Sequence, residues 1–126
     1  MNKELHSISK KIGDIQYGLL RFQDKKQQLS VQVKTTANED ASLNCLITDE
    51  IDTHQLANKN IHLIQKYHGE YLYTTGKVIM EAKGNNKILF VQIVRARWFV
   101  RRSKGNVSWL QEKYKYEPIV HRKIAS

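Results

Sequence analysis

The sequence predicts a mainly β protein: a six-stranded antiparallel (split) barrel with a short N-terminal helix and a short C-terminal helix. Two observations carry that prediction. Six runs are apolar or alternate apolar with polar residues, and turn-forming residues separate them. Helical spacing of apolar residues occurs only near the two ends.

Leu5, Ile8 and Ile12 stand at i, i+3 and i+7, with Lys10 and Lys11 outside that stripe. This reads as an amphipathic helix over 3–13, ended by Gly13. From Ile15 the period changes to two, and Ile15–Phe22 is the first strand. Gln23–Gln28 is a polar hairpin turn. Leu29-Ser-Val-Gln-Val-Lys34 then alternates cleanly, giving one dry face and one wet face. Leu43–Thr48 is the third strand, with Cys45 on the same face as Leu43 and Ile47; this single cysteine reads as a buried structural thiol. Residues 49–60 are polar, with Ile51 and Leu56 as their large apolar anchors, and read as a loop with one helical turn.

Three strands follow in quick succession: Ile61–Tyr67, Tyr71–Ala82 and Lys87–Val100. His68-Gly69-Glu70 and Lys83-Gly-Asn-Asn86 supply the turns between them. Gly76 interrupts the middle strand, which marks a bulge, a bend or the close approach of another backbone or a ligand. The stretch Ile88–Val94 is apolar on both faces. Continued extension then puts Arg95, Arg97 and Arg101 on one face with Phe99, while Ala96, Trp98 and Val100 face a core. After Ser103-Lys-Gly-Asn106, the residues Val107, Leu110 and Tyr114 return to i, i+3, i+7 spacing. That predicts a helix capped by Asn106 and stopped by Pro118.

The length of 126 residues suits one domain with one core, with the barrel over 4–100 and a basic extension over 101–126. Charge is uneven. The formal net charge is +9, and residues 95–126 hold nine basic residues against Glu112 and Glu117. The expected partner is therefore an anion: nucleic acid, a phosphorylated small molecule or an acidic surface. No apolar run reaches the ~20 residues of a membrane span, and the N-terminus lacks an apolar signal region, so the expected location is the cytoplasm.

Histidine and cysteine spacings give no metal-ligand pattern, and no GxSxG, Walker or GxGxxG motif occurs. The positive signal is the arginine face. Guanidinium groups two residues apart on a strand lie ~6.6 Å apart and can straddle one phosphate or two neighbouring ones. Lys34, Thr35 and Thr36 can add an ammonium and two hydroxyls. Tyr71, Tyr73 and Thr75 share one face of the fifth strand, which reads as a core wall or an aromatic ligand lining.

The order of elements carries a resemblance. A short helix leads into Tyr17-Gly-Leu-Leu20, then a hairpin, then a strand ending in Leu46-Ile47-Thr48. Asn60-Ile-His-Leu-Ile-Gln65, Tyr71-Leu-Tyr-Thr-Thr-Gly76-Lys-Val-Ile79 and a strand ending in Arg95-Ala-Arg-Trp98 follow. Over residues 4–99 this resembles the FMN-binding split-barrel proteins related to pyridoxamine 5′-phosphate oxidase. The resemblance implies a homodimer with flavin (FMN) at the subunit interface and an oxidoreductase activity. Thr48 and Trp98 fall on matching positions. The family's Ser-x-Lys phosphate grip is absent, replaced by the acidic Thr48-Asp-Glu-Ile-Asp-Thr-His54. The expected cofactor ligands are then Lys34, Arg95 and Arg97 for phosphate charge, Thr36 and Thr48 as hydrogen-bond donors, and Trp98 as a wall for the ring. The catalytic residues stay open.

An alternative class is a non-enzymatic basic barrel that binds nucleic acid through Arg101, Arg102, Lys104, Lys113 and Lys115, with Trp98, Phe99, Trp109 and Tyr114 as stacking surfaces. Arg97-Trp-Phe-Val-Arg101 is also similar to the Arg-x-x-x-Arg element of the PilZ domains that bind cyclic dinucleotides. In that family the element precedes the barrel, whereas here it comes late.

Overall fold

A computed structural model describes residues 3–24, 26–38, 41–47, 56, 58–82 and 87–117. Its elements are α1 (Lys3–Ile15), β1 (Tyr17–Asp24), β2 (Gln27–Ala37), β3 (Ser42–Ile47), β4 (Asn60–Tyr67), β5 (Glu70–Ala82), β6 (Lys87–Lys104) and β7 (Val107–Tyr116). All strand pairings are antiparallel. The order is β3-β2-β1-β4-β5-β6-β7, and a further β3–β6 pairing joins β1, β2, β3, β6, β5 and β4 into a closed ring of neighbours.

The stripe read from the sequence does bury: Leu5, Ile8 and Ile12 lie in the core. The helix does not end at Gly13. It runs on to Ile15, which is also buried, and Gln16 takes the left-handed conformation (φ 63°) that closes the last turn. The Gln16 backbone NH still donates to the Ile12 carbonyl at 2.9 Å. The Gln16 carbonyl accepts from both the backbone NH (2.6 Å) and the hydroxyl (3.1 Å) of Thr35. Inside the ring, the Gln65 side-chain amide donates to the Thr35 hydroxyl at 3.1 Å and to the Tyr17 carbonyl at 3.4 Å. This buried polar string ties the end of α1 to β1, β2 and β4, although Gln65 Oε1 itself has no protein partner.

The ring interior is filled by alternate residues of each strand, among them Leu20, Val31, Val33, Leu43, Cys45, Ile61, Leu63, Leu72, Leu89 and Val91. Leu56 also buries, as its isolated position in a polar stretch implies, while Ile51 lies outside the described residues.

Gly76 sits where the sequence signals an irregularity. The β5–β6 register shifts between Thr75 and Gly76, leaving Val94 as the extra residue on β6. A β-carbon on Gly76 would stand 2.3 Å from the Val91 side chain and 2.9 Å from the Gln92 carbonyl, so the strand itself makes the close approach. The run 88–94 is apolar on both sides because Ile88 and Phe90 face outward half-buried while Val94 is the bulge residue. The bulge resets the inward set from Leu89, Val91 and Ile93 to Ala96 and Trp98.

One predicted element is wrong. Residues 107–116 are strand β7, not a helix, and the short C-terminal helix does not form there. Gly105, at φ 59°, and Asn106 make the two-residue turn of a β6–β7 hairpin in which Lys104 pairs with Val107. The physical reason lies in β6. Its 18 residues outrun β3, which covers one edge only as far as Gln92, and β7 pairs that same edge from Ala96 onward. Backbone pairing outweighs a three-residue helical spacing that would have buried very little.

Candidate functional site

The residues expected to hold a cofactor separate into two groups. Lys34 and Thr36 point outward from β2. Register across the ring places Lys34 beside Leu46 of β3 and Leu46 beside Ile88 of β6. In the next outward row Thr36 neighbours Asn44, and Asn44 neighbours Phe90. Directly paired antiparallel residues share a face. One outward surface therefore carries an ammonium, a hydroxyl and the half-buried apolar side chains Leu46, Ile88 and Phe90. The apolar members were missed in the sequence, although the two-sided apolar run 88–94 signalled them. Ile79, the extra residue on β5 across from Val91 and Phe90, adds apolar surface there with 51% exposure, whereas Val94, 43% exposed at the other register shift, lies beyond Gln92.

Arg95, Arg97 and Trp98 do not join that surface. On β6 they lie beyond Gln92, where β3 pairing ends, and Arg95 is five residues, or ~16 Å of strand, past Phe90. As the alternation predicts, Trp98 is buried and Arg97 faces the other way. Arg97 donates from Nε to Glu112 Oε1 at 2.7 Å, which neutralises it locally. Arg95 is half-buried opposite Thr75, and its Nε has no protein partner. Thr48 lies outside the described residues. The five expected ligands that are described thus do not converge on one anion within a chain; among them Lys34 and Thr36 alone stay together.

Tyr71, Tyr73 and Thr75 line the outer side of β5, since Leu72 and Thr74 take the buried positions. They are not core wall. The Tyr71 hydroxyl accepts from Arg101 at 2.8 Å, and Tyr73 meets Phe99 edge-on at 5.7 Å between centroids.

The basic extension is a two-stranded ribbon. β5 pairs β6 as far as Val100, and the Arg101 NH still donates to the Gly69 carbonyl at 3.0 Å, so Arg102–Lys104 pair with β7 alone and project past the ring. Its two faces differ. Arg97, Arg101 and Lys115 share one face with Glu112, and Lys115 also meets Glu117 at 3.3 Å. On the other face Arg102 pairs with Trp109, and Lys104 with Val107. Lys113, the extra residue at a bulge opposite Trp98 and Phe99, reaches the Trp98 ring with its ammonium 5.1 Å from the centroid. The five expected nucleic-acid ligands therefore split: Arg102, Lys104 and Lys113 lie on one side, Arg101 and Lys115 on the other.

Where the ribbon meets the helix, a cleft of about 350 Å³ opens between α1 and β7. His6, Ser7, Lys10, Lys11, Asp14, Trp98, Lys113 and Tyr114 line it. Lys11 stands 4.4 Å from the Trp98 centroid and is held by Glu70 at 2.6 Å. Trp98 and Tyr114 lie 5.1 Å apart, centroid to centroid. The sequence placed Lys10 and Lys11 merely outside the apolar stripe. Which strand that flank of the helix would face was not legible before the tertiary pairing was known.

Cys45 is fully buried, and desolvation pushes its thiol from 9.0 up to about 12. It is a core residue and no nucleophile at neutral pH. Among the described residues no group of three His, Cys, Asp or Glu side chains stands placed to hold a metal ion, and no helix is long and apolar enough to cross a membrane. No family model, curated protein or solved structure matches the chain.

Proposed function

We propose that the six-strand ring is a split barrel that binds FMN on the outward face of β2, β3 and β6, as a homodimer with oxidoreductase activity. The observation that carries this reading is the row of side chains on that face. Lys34 and Thr36 supply one cation and one hydroxyl for a phosphate. Leu46, Ile88 and Phe90 supply an apolar, partly aromatic bed next to them. A flavin mononucleotide needs that combination: a charged end and a large planar ring to be withdrawn from water. Arg95, Arg97 and Trp98, which the sequence assigned to the same ligand, have no part in this version of the site.

The isoalloxazine, when bound, supplies the redox chemistry. The chain's own part is to orient it. Lys34 anchors the phosphate by a charge-assisted hydrogen bond, Thr36 adds a donor, and the apolar row excludes water from one ring face. Exposed Ile79 borders the same surface, and a second copy of the chain placed there would cover the opposite ring face and bury it.

The test begins with the protein as purified. A holoprotein is yellow, and FMN added to stripped protein raises its melting temperature. Protein that stays colourless and shows no thermal shift with excess FMN removes the cofactor reading.

A further inference from the structure

We propose a second binding site, on the opposite end of β6 from the flavin face: the α1–β7 cleft and the carboxylate-free face of the ribbon take single-stranded nucleic acid. The proposal does not depend on the flavin reading, because the two surfaces share no residue.

Three observations carry it. First, charge on the ribbon is sorted by face. The side with Arg97, Arg101 and Lys115 carries Glu112 and is partly neutralised, whereas Arg102, Lys104 and Lys113 meet no carboxylate among the described residues. Arg102 is braced by a neutral partner, donating to Gln111 Oε1 at 3.0 Å, so its charge remains available to a phosphate.

Second, aromatic rings are interleaved with those cations. Trp109 sits directly across from Arg102 and is 46% exposed, a large cost for an unoccupied indole. Tyr114, half-buried, is the next ring along the same face; it rests on the buried Trp98 at 5.1 Å between centroids, with Lys113 beside the pair. Every base has a π-face, so alternating rings and cations suit an unpaired strand whose bases are free to stack. A duplex keeps its bases inside and would leave Trp109 without a partner.

Third, the cleft continues the strip. Lys10, Lys11 and Lys113 outnumber Asp14 on its walls. The ammonium groups of Lys11 and Lys113 both approach the Trp98 ring, and only Lys11 has a carboxylate partner, Glu70. A phosphate there relieves like-charge crowding. The face runs from Trp98 to Lys104, roughly 20 Å of strand, room for a few extended nucleotides.

The experiment is fluorescence anisotropy of a labelled single-stranded oligonucleotide of about 12 nucleotides against the full chain. Saturable binding is expected. Its logarithm should fall linearly with that of salt concentration, by about 0.7 for each phosphate contacted. Trp109→Ala should weaken binding at least about fivefold. R102E/K104E/K113E should abolish it, with circular dichroism unchanged because all three side chains are exposed. Lys34→Glu, on the distant face, should leave it near the parental value. The proposal is overturned if the parent does not bind, if the triple variant binds as the parent does, or if Lys34→Glu is as damaging as one of the three ribbon charges. It is equally overturned if duplex of the same sequence binds as tightly as the single strand.

Discussion

Gly13 occupies an exposed turn of α1, and a β-carbon there would touch nothing within 4 Å. Glycine in a helix costs conformational entropy without any packing return, so Gly13→Ala should raise stability by about 0.5–1 kcal/mol in urea denaturation. Cys45 makes the opposite kind of prediction. Its folded-state thiol titrates near 12 against 9.0 in the unfolded chain, because burial disfavours the thiolate. The unfolded state therefore loses its proton first as pH rises. The stabilisation is complete below pH 9 and is lost between pH 9 and pH 12, by up to about 1.4 kcal/mol per unit for this one group. Other groups titrate there too, so the readout is the stability difference between the parent and Cys45→Ala, which should shrink as pH rises through that window. A flat difference contradicts the assignment.

Gly76 shows how one position shapes a pair of strands. Its missing side chain lets Val91 and the Gln92 carbonyl come close, and Val94 bulges out across from it. Gly76→Ala should destabilise by about 1–3 kcal/mol through overpacking, read from a lowered urea midpoint. Elements of this kind were largely legible. The Leu5, Ile8, Ile12 stripe and the clean alternation of 29–34 follow from burying one face, and both survive into the structure. Gly76 announced its irregularity because a glycine in a strand has few other uses. The last element was misread for a reason of scale. Val107, Leu110 and Tyr114 satisfy a helical period locally, but the exposed edge of β6 lies elsewhere in the chain, and only the folded ring shows it needs a partner. The Gly105-Asn106 pair was the available hint. Site geometry was less legible still, since Lys34 finds Leu46 and Ile88 through two strand pairings that no local pattern encodes.

At the scale of the whole molecule, the ring puts apolar residues on its outside as well as its inside. Ile79 is large, exposed and adjacent to the half-buried Phe90 row, and Val94, also exposed, lies farther along β6. A twofold contact across that surface predicts a dimer in sedimentation equilibrium. Ile79→Glu should shift it to monomer without loss of secondary structure; a parent that sediments as a monomer contradicts the interface. The charge asymmetry belongs to this scale too, since the ribbon concentrates Arg97, Arg101, Arg102, Lys104, Lys113 and Lys115 at one end of β6. The most direct test of the central claim is a flavin fluorescence titration comparing FMN with riboflavin, on the parent and on Lys34→Glu. The account predicts that the parent quenches FMN saturably, and that Lys34→Glu weakens FMN binding at least about tenfold while barely changing the weaker riboflavin binding. Equal affinity of parent and variant for FMN, or no quenching by either, would contradict it.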